Sequence, residues 1–298
     1  MGSLSLSGKI SIVTGATRGI GKAIAIQLGQ QGSKVYITGR TLSPQDGVCL
    51  PGSLEETARD IHARGGVCVP IQCDHSKDID IQRLFERITA ENDGRLDIFV
   101  NNAFSGNDTL LKERGKPFWE QSLNMWDDIN EVGLRNNYLC AIYASKLMVP
   151  RKNGIIINVS SAGASMYMLN PAYGIGKAGV DRMTADCALE LRKHNIAFVS
   201  LSPGPVSSDT LMALSKGAEN RGENIEEYRK IAKIAESPCC AGECVIALAN
   251  DPNIMEKTGK VFSTVQLAEE YGIVNKKGNE PEANALETFL NFVQGHIN

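Results

Sequence analysis

The chain has 298 residues, of which 42% are hydrophobic and 22% are charged, and its formal net charge is −3. This size and composition predict a self-sufficient globular protein that needs no disulfide or metal to fold. The slightly acidic balance gives no basis for binding nucleic acid or an anionic membrane surface. Small molecules are therefore the expected partners.

The cysteines and the N-terminus bear on the compartment. The 8 cysteines are scattered, and no signal-peptide core precedes the first predicted strand, so we expect free thiols in the cytoplasm. No apolar run approaches the roughly 20 residues that a membrane-spanning helix needs. Cys239, Cys240 and Cys244 are close together, but no second ligand group follows at a suitable spacing, and no metal is expected.

Short β-branched runs alternate with longer helical patterns, which indicates repeated βαβ units. Near-continuous apolar runs such as KISIVT and GIIINV are typical of parallel strands covered on both faces. We therefore expect one α/β domain over residues 1–298, a doubly wound Rossmann sheet of about seven parallel strands with helices on both faces. Its core spans residues 8–265, and residues 266–298 are a C-terminal extension. The predicted strands are residues 9–14, 34–38, 67–72, 96–101, 154–160, 196–201 and 260–264.

Helix signals and insertions fall between these strands. Ser53 and Glu56 have the spacing of a capping box, and residues 77–92 have the pattern of a helix. Residues 104–125 and 209–236 look like additions to the plain alternation. Long loops in α/β domains are usually functional, so we expect residues 209–236 to edge a substrate lid.

The turn after the first predicted strand is rich in glycine. Glycines let the chain turn sharply and let backbone N–H groups approach a pyrophosphate, which then lies at the positive N-terminal end of the next helix. This turn lies between the first strand and the first helix, where a dinucleotide-binding fold needs it. The cofactor-binding residues predicted here are Gly15, Thr17, Arg18, Gly19, Ile20 and Gly21.

The second predicted strand is followed by Gly39 and Arg40, where an NAD-binding protein would offer a carboxylate to the ribose 2′-hydroxyl. Arg40 is instead suited to a charge-assisted pair with a 2′-phosphate, and Arg18 is able to approach from the other side. One such contact, at about 1.5–3 kcal/mol, favours NADPH over NADH by roughly tenfold to a hundredfold. We predict NADP(H) as the preferred cofactor, with NAD(H) as the less favoured alternative.

Tyr173 and Lys177 lie four residues apart on one face of a predicted helix. The pKa of a free tyrosine is about 10, but a nearby ammonium and a positively charged nicotinamide favour the phenolate and lower it. Tyr173 is then able to exchange a proton with a substrate oxygen while hydride moves at carbon. A strand ending in Ser160 and Ser161 precedes this pair, and a hydroxyl there is placed to hydrogen-bond a substrate carbonyl.

In order along the chain, these motifs resemble the short-chain dehydrogenase/reductase family over about residues 8–265. The family has an Asn-Asn-Ala-Gly turn after the fourth strand, whereas this chain has Asn101-Asn102-Ala103 followed by Phe104. The Pro-Gly turn after the sixth strand is present at residues 203–204. The resemblance implies that Asp74 contacts adenine, Lys177 the nicotinamide ribose, and Val206 and Ser208 the carboxamide. It further implies cofactor contacts at Asn101 and Pro203.

The family comparison leaves the catalytic serine open. Counting from the strand start places it at Ser161, whereas counting back from Tyr173 places it at Ser160. We prefer Ser161, because strand register is fixed by the sheet while the following loop is able to lose a residue.

A larger departure from the family is Gly133, which stands where the family has a catalytic asparagine. The family asparagine is thought to leave a helix carbonyl free to hold a water that relays protons to the lysine. A glycine also loosens a helix, and we hypothesise that a carbonyl near Gly133 anchors such a water. This departure motivates one alternative function: a catalytically impaired NADP-binding sensor or scaffold.

The preferred interpretation is an NADPH-dependent carbonyl reductase that interconverts a carbonyl and an alcohol, with Tyr173 as general acid and base. Several departures, including Phe104, Gly133 and a late LAEEYG, resemble one subgroup of the family. That resemblance implies mostly apolar substrates, such as steroid-like or xenobiotic ketones and aldehydes, and an endoplasmic reticulum association. Apolar residues 166–169 also favour an apolar pocket. We expect a homodimer or homotetramer.

Overall fold

The computed structural model describes residues 6–44, 51–208, 211–212, 215–216, 219 and 225–273. In this part of the chain, seven strands form one parallel sheet in the order β3-β2-β1-β4-β5-β6-β7. The strands are β1 (Ile10–Val13), β2 (Lys34–Gly39), β3 (Val67–Gln72), β4 (Ile98–Asn101), β5 (Gly154–Val159), β6 (Ile196–Ser202) and β7 (Val261–Ser263). The prediction of a doubly wound Rossmann sheet is confirmed.

The helices connect these strands and cover both faces of the sheet. They are α1 (Gly19–Gln30), α2 (Leu54–His62), α3 (Asp78–Glu91), α4 (Asn107–Lys112), α5 (Met125–Asn130), α6 (Asn136–Met148), α7 (Pro171–Leu191), α8 (Glu226–Ile234), α9 (Pro238–Asn250), α10 (Ile254–Lys257) and α11 (Thr264–Tyr271). A five-residue π-helical turn, Glu131–Arg135, joins α5 to α6.

Alternate residues of each strand enter two separate cores, which explains the near-continuous apolar runs in the sequence. Val35 and Ile37 of β2 pack with α1, α2 and α9 on one face. Tyr36, between them, packs with α3, α6 and α7 on the other face. Since successive strand side chains point to opposite faces, a strand covered on both sides is apolar at most positions.

The strand order changes direction between β1 and β4, which are neighbours in the sheet. In an open parallel sheet, the connections after these two strands run to opposite faces and leave a crevice at their carboxyl ends. The glycine turn follows β1, and the Asn101-Asn102-Ala103 turn follows β4. The fold therefore brings both motifs to one crevice.

The helix that begins after Ser53 shows half of the predicted capping box. The Ser53 hydroxyl oxygen accepts from the Glu56 N–H at 3.2 Å, and the Ser53 hydroxyl donates to the Glu56 carboxylate at 2.9 Å. The predicted helix over residues 77–92 is observed as α3, with Lys77 and Asn92 as its flanking residues.

The predicted lid is described in part, because α8 and Leu211 fall within the described residues while most of residues 209–224 do not. The part of the C-terminal extension after residue 273 also lies outside the described residues. Among the helices that the structure describes, none combines the length and the apolar character needed to cross a bilayer.

Candidate active site

A cleft of about 900 Å³ opens at the carboxyl ends of the strands. A volume of this size is typical of a site for a cofactor with a small substrate. Almost all of the predicted site residues line it. From the cofactor-binding prediction these are Gly15, Thr17, Arg18, Gly19, Ile20, Gly21, Arg40, Asp74, Tyr173, Lys177, Pro203, Val206 and Ser208, and they are joined by Ser160 and Ser161.

The glycine turn has the geometry that a bound pyrophosphate requires. Gly19 begins α1 with φ +56°, and an added Cβ would meet nothing within 4 Å, so its backbone faces open space. At Gly15, by contrast, a Cβ would lie 2.7 Å from Cα of Ala103, and at Gly21 it would lie 2.3 Å from Nδ2 of Asn102. Two glycines thus allow close packing, while the third leaves the N-terminus of α1 open to an anion.

The far end of the cleft carries Arg40 and Asp74 at the ends of β2 and β3. Arg40 is exposed, and no carboxylate stands at its position. Partial burial opposes ionisation of Asp74, yet hydrogen bonds from Ser76 and the charges of Lys77 and Arg40 hold the pKa of its carboxyl below the ordinary value. The Ser76 hydroxyl donates at 2.8 Å. This end of the cleft therefore offers a cation and an ionised carboxylate side by side.

Tyr173 lies in the first turn of α7, which fixes its direction into the cleft. The Asn170 side chain caps this helix by accepting from the Tyr173 N–H at 2.8 Å, and Pro171 occupies the first helical position. Desolvation raises the pKa of the Tyr173 phenol, and a hydrogen bond with the Ser161 hydroxyl opposes this effect. Without a bound cofactor, these effects favour the neutral phenol. The decrease in the Tyr173 pKa that was expected from Lys177 is therefore not the dominant effect.

Lys177 follows one helical turn after Tyr173, and its ammonium donates to the Val159 carbonyl at 3.0 Å. The Nζ atom lies 5.9 Å from the Tyr173 ring centroid. Desolvation lowers the pKa of Lys177 to about 8, against the opposing charge of Asp181 one turn further along α7. Burial in turn raises the pKa of Asp181. A lysine in this environment changes protonation near physiological pH.

The two serines after β5 face different surroundings. The Ser161 side chain interacts with Tyr173 and caps the short turn that follows, accepting from the Gly163 N–H at 3.2 Å. Ser160 is 4% exposed, and its hydroxyl lies instead near the Asp181 carboxyl. The geometry therefore favours Ser161 as the serine that meets a substrate held at Tyr173.

Asn101 is the one predicted cofactor residue that does not line the cleft. Its side chain is fully buried and donates to the Asn137 carbonyl at 3.1 Å and to Oδ1 of Asn158 at 2.9 Å. The next residue, Asn102, lines the cleft and donates to the carbonyls of Thr14 and Gly15. Asn101 thus links β4 to β5 and α6, while Asn102 holds the glycine turn through two hydrogen bonds.

Gly133 lies in the π-helical turn between α5 and α6, where the backbone departs from helical geometry. Its N–H donates to Oδ1 of Asn136 at 2.7 Å, and its carbonyl accepts from Nδ2 of Asn137 at 3.1 Å. Both backbone groups are therefore engaged by side chains of the next turn. Phe104 also packs directly against Gly133, with ring atoms 3.0 Å and 3.4 Å from the place of a Cβ.

The sequence did not indicate the position of two residues that lie beside the site. Phe104 was noted as a departure in the turn after β4, but no local pattern indicated that it reaches Lys177. Glu236 was noted only as the last residue of the predicted lid segment 209–236. It is 4% exposed beneath the loop of Pro203 and Ser208, and its backbone N–H donates to the Pro205 carbonyl at 2.8 Å.

The substrate end of the cleft is largely apolar. The aromatic and aliphatic side chains there come from residues 104–125, from the loop before α7 and from the described part of the lid. They include Phe104, Leu110, Leu111, Trp119, Met125, Tyr167, Met168, Leu169, Leu211 and Ile231. Met168, Leu211 and Ile231 form a small core with Tyr228, and Tyr173 packs against it. Helix α8, which belongs to the predicted lid, is therefore in contact with Tyr173 through this small core.

Two glycines of α7 pack closely against other parts of the chain. A Cβ at Gly176 would lie 2.1 Å from Oδ1 of Asn130, and one at Gly179 would lie 2.9 Å from Cδ1 of Leu134.

Comparisons with known proteins agree with this geometry. A model of the short-chain dehydrogenase family matches residues 9–219. The chain is 42% identical over 292 residues to human dehydrogenase/reductase SDR family member 1, which covers 97% of this chain and 90% of the human protein. The subgroup indicated by Phe104, Gly133 and the late LAEEYG is the one to which this relative belongs.

Solved structures of short-chain oxidoreductases share this fold. A metagenomic short-chain oxidoreductase in complex with NADP is 27% identical, with a TM-score of 0.65, and covers 87% of this chain and 96% of that one. A short-chain type dehydrogenase/reductase from Mycobacterium marinum, 24% identical, shares the fold with a TM-score of 0.72 over 87% of this chain and 95% of its own. The chain therefore belongs to the short-chain dehydrogenase/reductase family of oxidoreductases.

Proposed function

We propose that the protein interconverts a carbonyl and an alcohol with NADP(H), on a mostly apolar substrate such as a steroid-like or xenobiotic ketone or aldehyde. The observation that carries this proposal is the convergence of Ser161, Tyr173 and Lys177 in the cleft that also contains the glycine turn. A related structure at 27% identity contains NADP. The preferred direction is reduction, as in a carbonyl reductase.

The residues present fit a nicotinamide dinucleotide. The open N-terminus of α1 at Gly19 would hold the pyrophosphate, Lys177 the nicotinamide ribose, and Val206 with Ser208 the carboxamide. Arg40 and Arg18 would pair with a 2′-phosphate, since no carboxylate at the end of β2 competes for a ribose hydroxyl. When bound, the nicotinamide supplies hydride to the substrate carbon or accepts it in the reverse direction.

Tyr173 is the proposed general acid in reduction, and its phenol O–H protonates the carbonyl oxygen as hydride reaches the carbon. Desolvation keeps this phenol protonated, which suits its role as an acid. Ser161 donates to the same substrate oxygen and orients it. The Lys177 ammonium stabilises the phenolate that remains after transfer, and in oxidation the phenolate takes the proton back.

The apolar end of the cleft supports an apolar substrate. Trp119, Met125, Met168 and Leu211 offer apolar surface, and charged residues of segments 113–116 and 127–131 also line the cleft. Burial of a steroid-like ring system against such walls contributes about 25 cal/mol for each Å² of apolar surface removed from water.

A cytoplasmic location and a homo-oligomeric state remain predictions. The oligomer is supported by exposed apolar side chains on α6 and α7, where Tyr138 and Ile175 are each 54% exposed and Leu189 is 73% exposed. Light scattering coupled to size-exclusion chromatography measures the mass directly, and a monomer would contradict this prediction.

The proposed function is tested by screening ketones and aldehydes, apolar ones first, for oxidation of NADPH. Tyr173→Phe should abolish the activity while NADPH still binds. Tyr138→Phe makes the same chemical change at an exposed tyrosine outside the cleft and should leave the rate unchanged. NADPH binding without turnover of any carbonyl or alcohol would contradict the proposal and favour a sensor or scaffold.

A further inference from the structure

Phe104 lies against both members of the Tyr173–Lys177 pair. Its ring centroid is 5.9 Å from that of Tyr173, with the ring planes at 85° in an edge-to-face arrangement. The Nζ atom of Lys177 lies over the Phe104 ring, 5.5 Å from the centroid. An aromatic face attracts a cation within about 6 Å because it carries the negative part of the ring quadrupole. One side chain therefore meets both groups that the proposed reaction uses.

Two glycines create the space that this ring fills. A Cβ at Gly133 would lie 3.0 Å from Cδ2 of Phe104, and one at Gly106 would lie 2.8 Å from Cζ. A side chain at either position would therefore have to displace the ring or its neighbours. Gly133 is in turn held through both of its backbone polar groups by the amides of Asn136 and Asn137. The ring therefore rests against a fixed backbone.

The Phe104 ring is one of several neighbours of the Lys177 ammonium. Val159 at the end of β5 accepts one of its hydrogen bonds, at 3.0 Å. On its own helix the titratable neighbours are Tyr173 and Asp181, and within the described residues Asp181 is the charged side chain that acts on Lys177. The loop after β4 contributes the Phe104 ring. The aromatic face thus adds negative potential to that of the Val159 carbonyl and the Asp181 carboxyl.

We infer that Phe104 is a positioning residue for Lys177: its ring face holds the ammonium beside Tyr173 and favours the charged form of the lysine. The inference rests on the proposed function, because it gives Phe104 a part in the proton chemistry of that site. Leucine at position 104 would retain apolar volume but lose the aromatic face, whereas tyrosine would keep it. These two substitutions separate the electrostatic effect from packing.

The test follows the titration of Lys177 by NMR in the full-length protein, labelled with ¹³C at the lysine Cε and free of cofactor and substrate. The Lys177 signal is the one that disappears in Lys177→Arg. Its midpoint in the wild-type protein is expected near the pKa of about 8 that desolvation produces. Loss of a desolvated cation–π contact in Phe104→Leu should lower this midpoint by about one pH unit.

Two controls define the result. Phe104→Tyr should restore the wild-type midpoint, and Phe118→Leu should leave it unchanged, since Phe118 is 63% exposed and lies outside the cleft. A wild-type midpoint in Phe104→Leu would overturn the inference, and so would a tyrosine variant that titrates like the leucine variant. If the leucine variant folds poorly, Phe104→Met makes the same comparison with a flexible, non-aromatic side chain.

The outcome is separable from the proposed function because the titration needs no turnover. A lowered midpoint in a protein that reduces no carbonyl would support the positioning role and contradict the proposed activity. Where turnover is measurable, the alkaline limb of the kcat/KM profile should move to lower pH by the same amount in Phe104→Leu.

Discussion

The Lys177 ammonium donates a hydrogen bond to the Val159 carbonyl at 3.0 Å, and this bond joins α7 to the end of β5. The strand end carries Ser161, and the helix carries Tyr173 one turn before the lysine. Because one side chain links the two elements, the spacing between the serine and tyrosine hydroxyls depends on it. Lys177 is thus expected to contribute geometry as well as charge.

Replacing Lys177 separates those two contributions. Lys177→Met should lower kcat/KM by about 10²–10⁴-fold, because the ammonium that stabilises the phenolate is lost. Lys177→Arg keeps a charge but changes its shape and donor geometry, so an intermediate loss is expected. Lys260→Met, at an exposed lysine outside the cleft, is the matched control and should retain full activity. Steady-state kinetics with NADPH and a carbonyl substrate would contradict this role if the methionine variant kept its rate.

The strands and the glycine turn were predictable because their signals are local. Val35, Tyr36 and Ile37 form one continuous apolar run since the first and third enter one core and the second enters the other. The choice between Asn101 and Asn102 was not predictable, because it depends on the direction of the backbone as it leaves β4.

The residues that surround Lys177 could not be predicted from the sequence either. Phe104 reaches Gly133 and Lys177 only through the tertiary fold, and the burial of Glu236 at the end of the predicted lid segment also depends on that fold. The family resemblance identified position 133 as unusual, but the contact between Gly133 and Phe104 required the structure.

Arg40 is the basis of the predicted cofactor preference. Arg40→Ala should reduce the ratio of kcat/KM for NADPH over NADH by roughly tenfold to a hundredfold, because a charge-assisted contact to the 2′-phosphate is lost. Arg59→Ala removes an exposed arginine of α2 that does not line the cleft, and it should leave the ratio unchanged. Equal use of both cofactors by the wild-type protein would contradict the prediction at the outset.

Glu236 should make stability depend on pH. Burial raises the pKa of Glu236 from 4.5 to about 7, although Thr264 and the Gly204 N–H donate hydrogen bonds to the carboxyl. The folded protein therefore binds more protons than the unfolded chain between these two values. Its stability falls as pH rises from about 4.5 to about 7, by on the order of 3 kcal/mol, and the contribution is constant above that range.

Glu236→Gln tests this expectation, since glutamine stays neutral and still accepts from the Thr264 hydroxyl. The variant should match the wild-type protein near pH 5 and exceed it in free energy of unfolding at pH 8. Urea unfolding at the two pH values measures the difference. Glu256→Gln, at an exposed glutamate, should show no such gain. The same pH dependence in Glu236→Gln and wild type would exclude Glu236 as its source.

Arg114 links the segment after β4 to the lid helix α8. Its guanidinium donates to the Tyr228 hydroxyl and lies over the Tyr228 ring, 5.2 Å from the centroid. Tyr228 is 2% exposed and packs in the small core that covers Tyr173. The bond therefore ties the segment after β4 to α8 beside Tyr173, and we expect its strength to influence how firmly a substrate is retained.

Tyr228→Phe removes the hydroxyl and keeps the ring with its packing. Loss of one hydrogen bond to a charged group should weaken lid closure and raise KM for the carbonyl substrate by about tenfold. The value of kcat should change little, because Tyr173, Lys177 and Ser161 are untouched once the lid is closed. Tyr143→Phe, on α6 beyond the cleft, should leave both constants unchanged. A fall in kcat with constant KM would instead assign Tyr228 to the chemical step, since closure alone affects retention of the substrate.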